Sequence, residues 1–70
     1  MDSGRIKVDG AKILRLKEQH NMTYVDVGER AGVSSVTVLH AVQQNSCSLK
    51  TLKAIASAFY YDYNDLLLED

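Results

Sequence analysis

Apolar residues recur along this chain with the spacing of amphipathic helices. The clearest run, in the second half of the sequence, consists of Leu49, Leu52, Ile55, Ala56 and Phe59. Intervals of three and four residues place such side chains on one face of an α-helix. Because the apolar/polar alternation that is typical of strands is not evident, the pattern predicts an all-α fold.

A set of three residues precedes or opens each predicted helix. Each set has an apolar residue, then Asp, Ser or Thr, and a second apolar residue four positions after the polar one. The polar side chain caps the helix by accepting a free N–H, and the apolar pair fixes the entry angle as a hydrophobic staple. The five sets are Val8, Asp9 and Ile13; Met22, Thr23 and Val27; Val33, Ser34 and Val38; Cys47, Ser48 and Leu52; Tyr61, Asp62 and Leu66.

These sets divide the chain into five helices, at about residues 10–20, 24–31, 35–43, 49–59 and 63–68. Thr23 with Asp26, and Asp62 with Asp65, resemble capping boxes. The segment 44–47 is interpreted as a short polar loop. Residues 1–8 are interpreted as an N-terminal arm that precedes one domain formed by residues 9–70.

Residues 23–42 have the features of two short helices joined by a tight turn. Gly32 lies where the chain reverses, and glycine adopts positive φ without steric cost. Gly28, one helical turn earlier, has no side chain and lets the second helix approach the first. The segment therefore predicts a helix-turn-helix.

The run VGERAGVSSVTV in this segment resembles the helix-turn-helix family of the Cro and phage-repressor type, also called xenobiotic-response-element-like regulators. The matching features are the small residue Gly28, AGVS at the turn, and Thr37-Val38 in the second helix. SLKTLKAIASAF and NDLL are similar to the family's fourth and fifth helices, so the resemblance covers about residues 9–68. The turn also resembles the headpiece of the Lac-repressor family, but SLKTLKAIA favours the Cro-like group. The resemblance implies a compact five-helix domain that binds double-stranded DNA and regulates transcription as a repressor or an activator.

In this family the second helix of the motif lies in the major groove, with its N-terminal residues toward the bases. The resemblance therefore implies base contacts from Ser35, Val36, Thr37 and His40. The two hydroxyls can donate or accept hydrogen bonds, and Val36 can touch a thymine methyl group. His40 can bond to a guanine acceptor or to a phosphate. The alternative for each residue is an ordinary side chain on a solvated helix.

Phosphate contacts are expected from helix starts, where free N–H groups and the helix dipole favour anions, and from the polar loop. The candidates are Thr23, Tyr24, Gln43, Asn45, Ser48 and Lys50. Their alternative is a solvated surface, or a cap without a ligand. For Arg5 and Lys7 in the arm, the preferred interpretation is a solvated terminus, and contact with DNA is the alternative.

The sequence departs from the family pattern in three places. Tyr24 stands where Gln is usual, and the predicted recognition helix carries neither Arg nor Lys. Tyr60 stands where Gly usually ends the fourth helix, so it must adopt a left-handed conformation or the helix must end differently.

Charge is distributed unevenly along the chain. The net charge of −1 is mildly unfavourable for binding nucleic acid. Residues 31–58, however, contain Lys50 and Lys53 and no acidic residue, whereas residues 59–70 contain four acidic residues and no basic one. A surface without acidic groups can still attract phosphates, so a modest electrostatic affinity is expected.

Other functional classes find little support in the sequence. A single cysteine fits a reducing cytoplasm, and neither a signal-peptide core nor an apolar run of membrane-spanning length is evident. His20, His40 and Cys47 lack metal-ligand spacing. Because a phosphate-binding glycine loop and a nucleophile motif are also not evident, we expect no enzymatic activity, cofactor or small-molecule substrate.

Two questions about partners stay open at this point. The family resemblance implies a homodimer, at least on DNA, and the aromatic and leucine-rich residues 59–68 are either part of its interface or the edge of the core. The alternative function is a protein-interaction module on the same scaffold, because Val36 and Leu39 place apolar groups on the presumed DNA face.

Overall fold

Four α-helices account for most of residues 5–68, the part of the chain that the computed structural model describes. They are α1 (Gly10–Gln19), α2 (Tyr24–Ala31), α3 (Ser35–Gln44) and α4 (Leu49–Ala58). Within this part of the chain, no helix combines the length and the apolarity needed to cross a membrane.

All four α-helices begin directly after the cap that the sequence predicted. In each case the side-chain oxygen of the cap accepts a hydrogen bond from the backbone N–H three positions later. The capping residues are Asp9, Thr23, Ser34 and Ser48. The caps therefore set the residue at which every α-helix in residues 5–68 begins.

The fifth predicted helix is shorter than expected and of a different type. Tyr63–Leu66 form a 3₁₀ helix, and Leu67 returns to extended backbone. Asp62 is the cap, but it accepts from the N–H of Asn64 at 3.0 Å, so the predicted capping box with Asp65 is not formed. The helix ends early because the following residues pair with the N-terminal segment, where the Leu68 N–H donates to the carbonyl of Lys7 at 3.2 Å.

A small antiparallel sheet corrects the prediction of an all-α fold with five α-helices. Strand β1 (Arg5–Lys7) pairs with β2 (Ser46–Ser48), and Ile6 lies opposite Cys47. From the sequence, β1 is expected in a separate arm and most of β2 in a polar loop. Strands of three residues are too short to show alternation, and their pairing joins segments far apart in the sequence.

The N-terminal segment is therefore part of the domain from residue 5 onward. The Val8 N–H donates to the Asn45 carbonyl at 2.9 Å, and the Asp9 N–H donates to the Leu66 carbonyl at 2.8 Å. Val8 is completely buried. The segment thus ties the end of α3 to the C-terminal residues, and only residues 1–4 of the predicted arm lie outside the described part.

The core lies where the helices converge. Helix α2 packs against both α3 and α4, and α1 packs against α3 and the 3₁₀ helix. Four of the five predicted staple pairs lie in the core or against it. In the fifth pair Tyr61 is 40% exposed, and its ring lies under the Lys12 ammonium at 5.7 Å from the ring centroid.

Helix α4 ends through a left-handed residue, which is one of the two outcomes expected at Tyr60. Its φ is 61°, and its N–H donates to the carbonyl of Ser57 at 3.1 Å. The N–H of Tyr61 reaches back to Ala56 at 2.9 Å, which closes the helix end. The Tyr60 side chain points to solvent, so this conformation causes no clash in the core.

Candidate nucleic-acid interface

The turn between α2 and α3 depends on two glycines. Gly32 has φ 77°, and the N–H groups of Gly32 and Val33 both donate to the carbonyl of Gly28, at 2.8 and 2.9 Å. A Cβ atom at Gly28 would lie 2.7 Å from the Val33 carbonyl oxygen and 3.1 Å from the Ser35 nitrogen. The missing side chain therefore lets the start of α3 rest directly on α2.

The start of α2 is closed by the capping box that the sequence predicted. The Thr23 hydroxyl accepts from the Asp26 N–H at 3.1 Å, and the Asp26 carboxylate accepts from the Thr23 N–H at 2.9 Å. The backbone N–H and then the hydroxyl of Thr23, with a smaller contribution from Arg30, hold the pKa of the Asp26 carboxyl below its ordinary value. Asp26 is therefore ionised at neutral pH. Its negative charge lies beside Thr23, which is a predicted phosphate contact.

Tyr24 is half-buried at the same helix start. Its ring packs against the core, and the Lys17 ammonium lies 4.8 Å from the ring centroid. This position gives Tyr24 a structural role in addition to the predicted phosphate contact. The Tyr24 ring therefore lies where the Lys17 ammonium of α1 approaches α2.

The first turns of α3 carry the four residues that were predicted to touch bases. Val36 is 55% exposed and His40 is also exposed, while Ser35 and Thr37 are half-buried. The Thr37 N–H donates to the Ser34 hydroxyl oxygen at 3.1 Å, and the two hydroxyl oxygens are 2.8 Å apart. Thr37 therefore shares the cap of the helix, and its hydroxyl is held in place.

One concave surface lies between the starts of α2 and α3, and we call it the α2–α3 cleft. It has a volume of about 350 Å³. It is lined by Thr23, Tyr24, Val25, Ser35, Val36 and Leu39. The cleft brings two predicted base contacts together with two predicted phosphate contacts. Its exposed groups are mainly apolar.

A second concave surface lies on the other flank of α3, between that helix, the sheet and the start of α4. We call it the Arg5 cavity, and its volume is about 330 Å³. It is lined by Arg5, Thr37, His40, Ala41, Gln44, Ser46, Cys47, Ser48 and Thr51. The cavity brings the predicted base contacts Thr37 and His40 together with the predicted phosphate contact Ser48.

The three remaining predicted phosphate contacts line neither concave surface. Gln43 and Lys50 are exposed. Asn45 ends α3 with φ 54°, and its side-chain oxygen accepts from the Gly10 N–H at 3.1 Å. Asn45 thus connects the end of α3 to the start of α1, a structural role that the sequence analysis did not assign.

Arg5 is a candidate that the sequence analysis assigned to a solvated terminus. Its guanidinium Nη2 donates to Gln44 Oε1 at 2.8 Å, to Ser46 Oγ at 2.8 Å and to the Ser46 carbonyl at 3.1 Å. A positive charge is therefore placed beside α3, which has no Arg or Lys of its own. Arg5 reaches this helix only because β1 pairs with β2, and no local sequence pattern predicts this contact.

Cys47 forms part of the Arg5 cavity but adds no charge to it. The side chain is 6% exposed, and burial raises the pKa of its thiol above the ordinary value, although the nearby Arg5 acts in the opposite direction. The thiol therefore stays neutral at physiological pH. The charge of Arg5 is not cancelled by a thiolate next to it.

In the described part of the chain, no three His, Cys, Asp or Glu side chains form a group that could hold a metal ion. His20, one of the histidines considered in the sequence, lies with its ring centroid 5.4 Å from that of Phe59. His40 and Cys47 both line the Arg5 cavity.

Comparison of the chain with protein-family models gives no match, and comparison with curated protein sequences gives none either. A functional assignment therefore depends on the residues and the geometry described above.

Proposed function

We propose that this protein is a sequence-specific DNA-binding regulator of transcription that places α3 in the major groove. The observation that carries the proposal is the exposed face of α3 at a glycine-dependent helix-turn-helix. Val36 and His40 project from the first turns of α3, and the Gly28–Gly32 turn fixes that helix on α2.

The dimensions of α3 suit this role. An α-helix with its side chains is about 10–12 Å across, and the major groove of B-DNA is about 12 Å wide. Helix α3 has ten residues, so it is about 15 Å long at 1.5 Å per residue. The first turns of such a helix can reach base edges while the flanking concave surfaces face the two phosphate backbones.

The charge near α3 is also compatible with DNA. Residues 31–58, which include α3, β2 and α4, contain no acidic residue, and Arg5 adds one positive charge at the side of α3. Phosphate contacts dominate the affinity of most DNA-binding proteins and make it dependent on salt. The small number of basic groups predicts modest affinity with a shallow dependence on salt.

In this proposal the protein acts in the cytoplasm by occupying an operator, where it blocks or assists RNA polymerase. It binds paired half-sites as a homodimer, with half-site centres about 34 Å apart. Tyr60, Tyr61 and Leu68 are exposed near the C-terminus and are candidates for the contact between the two copies.

Fluorescence anisotropy on labelled duplexes tests the proposal. The duplexes come from the region upstream of the protein's own gene, with scrambled duplexes of the same composition as controls, at two salt concentrations. We expect tighter binding to one native duplex than to its scrambled control, and weaker binding at higher salt. Equal affinity for native and scrambled duplexes would contradict sequence-specific recognition.

A protein-interaction module is the second candidate, and the α2–α3 cleft is the observation that favours it. Val25 and Val36 are each 55% exposed at this cleft, and an exposed apolar surface often marks a protein contact. The double substitution Val36→Ser and Leu39→Ser separates the two functions. Loss of a partner complex with unchanged DNA affinity supports the module, whereas a loss of sequence preference supports the DNA-binding regulator.

A further inference from the structure

Arg5 lies at the edge of the proposed DNA-binding face, where side-chain hydrogen bonds position it. Strand β1 places its backbone opposite Ser48, and the side chain reaches Gln44 and Ser46 through three hydrogen bonds. All three bonds use Nη2, whereas a guanidinium carries five N–H donors in a planar fork. Within residues 5–68, Nε and Nη1 have no acceptor, so their donors can reach a phosphate while the side chain keeps its three hydrogen bonds.

The lining of the Arg5 cavity matches a phosphate group rather than a cation or an apolar ligand. Among the described residues, the lining contains one guanidinium, four hydroxyl side chains, one imidazole and one amide, and no carboxylate. Arginine with hydroxyl and amide donors is the usual set of protein groups around phosphate. The neutral Cys47 thiol leaves the Arg5 charge available to an incoming anion.

The cavity also has the size and the position for this role. Its volume of about 330 Å³ corresponds to on the order of ten water molecules, which is enough for a phosphate group with bridging water. It shares Thr37 and His40 with the base-contacting face of α3. A phosphate bound there would lie next to the base pairs that α3 contacts, as a phosphate at the edge of the major groove does.

We propose that the Arg5 cavity binds one phosphate of the DNA backbone, with the Arg5 guanidinium as its cation and the Ser46 and Ser48 hydroxyls beside it. This inference rests on the proposed function. It assigns to the N-terminal strand the positive charge that the recognition helix lacks. Arg5 then fixes the register of α3 on the duplex without reading sequence itself.

The experiment combines protein variants with a chemically altered duplex. Starting from the preferred duplex, single backbone phosphates are replaced one at a time by uncharged methylphosphonate. Binding is measured for the natural protein, for Arg5→Gln and for the control Arg15→Gln. The control makes the same chemical change and removes the same charge at α1, in a different concave surface that shares no residue with the Arg5 cavity.

We expect Arg5→Gln to weaken binding to all duplexes by about tenfold, the usual effect of losing a charged hydrogen bond. The slope of log affinity against log salt should fall in magnitude by about 0.9 for each protomer on the duplex, which corresponds to one phosphate contact in each half-site. One methylphosphonate position in each half-site should weaken binding of the natural protein and of Arg15→Gln but have no further effect on Arg5→Gln. Such coupling at one position identifies a direct contact.

A structural role for Arg5 alone would give a different pattern. In that case Arg5→Gln would lower stability and affinity, but its effect would add to that of every methylphosphonate, and this result would overturn the proposal. If Arg5→Gln fails to fold, Arg5→Lys keeps the charge without the planar fork and is tested for the same coupling.

Two further outcomes separate this inference from the proposed function. Specific binding by the natural protein without coupling at Arg5 would overturn only the phosphate assignment. Failure of the natural protein to prefer any duplex would overturn the proposed function and this inference with it. An NMR titration with inorganic phosphate that shifts the Ser46 and Ser48 amides, without coupling on DNA, would show a site for free anions instead and would also overturn the assignment.

Discussion

At the scale of single residues, Gly28 controls how closely α3 approaches α2. Its buried position leaves no space for a Cβ atom beside the Val33 carbonyl oxygen and the Ser35 nitrogen. The atoms in the way belong to the backbone of the turn, so relief requires the turn itself to move. A shift there changes the position of Val36 and His40 relative to the rest of the domain.

The substitution Gly28→Ala tests this close approach. In an open helix interior the change from glycine to alanine stabilises by about 1 kcal/mol, but here the added methyl group overpacks the turn. We expect the free energy of unfolding to fall by about 1–3 kcal/mol, measured by urea denaturation. A stability equal to or above that of the natural protein would show that the turn adjusts freely.

Gly32→Ala is the matched comparison. A Cβ atom at Gly32 meets no other atom within 4 Å, so the cost comes only from the left-handed backbone, about 1–2 kcal/mol. We expect the loss in free energy of unfolding to be independent of packing. We also expect the folded Gly32→Ala protein to keep its affinity for DNA. For Gly28→Ala we expect DNA affinity to fall together with stability.

Residue-scale roles were predictable where one residue type satisfies one local requirement. The glycines of the turn and the cap residues have this property, because backbone geometry near them dictates the side chain. Arg5 and Asn45 were different. The hydrogen bonds between Arg5 and Gln44 and between Asn45 and Gly10 depend on tertiary pairing. The residues next to Arg5 and Asn45 in the sequence do not predict that pairing.

At the scale of elements, each α-helix in the described part starts at a side-chain cap, and the start of α2 has the strongest one. Thr23 and Asp26 satisfy each other's backbone N–H groups. An ionised Asp26 also interacts favourably with the positive end of the helix dipole. The ionised Asp26 carboxylate therefore contributes to the stability of the α2 start.

This dependence predicts an acid-sensitive helix start. The folded-state pKa of Asp26 lies below its ordinary value because of the Thr23 N–H and hydroxyl. Because folding lowers this pKa, the ionised carboxylate stabilises the folded state fully at pH values above the unfolded pKa of about 3.9. The stabilisation is lost as the pH falls through the lower pKa of the folded state. The substitution Asp26→Asn keeps a side-chain acceptor but removes the titration.

We expect Asp26→Asn to be less stable than the natural protein at neutral pH, measured by urea denaturation at a series of pH values. The difference should begin to shrink as the pH falls below about 5 and should disappear when the natural Asp26 is protonated. Two stability curves that stay parallel down to pH 2 would show that the capping carboxylate has no linkage to folding.

The sequence predicted the α-helices well because their signals are local. Caps, staples and apolar spacing all lie within a few residues of one another, and the bounds of α1 to α4 follow the prediction to within one residue. The sheet was missed, and the fifth helix was predicted too long and as an α-helix instead of a 3₁₀ helix. Both depend on residues 5–9 pairing with segments near residues 45 and 66, and three-residue strands are too short to carry a pattern.

At the scale of the whole molecule, the N-terminal segment changes how the domain is organised. It joins the α3–α4 connection on one side and the C-terminal residues on the other. An apparent arm is therefore an integral strand, and it brings Arg5 to the face where α3 is exposed.

The candidate face draws on elements that are far apart in sequence. The α2–α3 cleft and the Arg5 cavity flank α3, and together they gather seven of the ten residues that the sequence nominated. Gln43, Asn45 and Lys50 lie outside these two concave surfaces. The sequence nominated these residues through its family resemblance, while the cation beside α3 became visible only in the folded chain.

The most direct test of the account is to map the DNA contact by NMR. Backbone amide shifts of the labelled protein are followed during titration with the preferred duplex, with its scrambled form as the control. We predict that the largest shifts, specific to the preferred duplex, fall at residues 23–25, 35–40 and 46–51, and that the exposed side of α1 around Arg15 changes little. Largest shifts on α1, or identical shifts with both duplexes, would contradict recognition of DNA by α3.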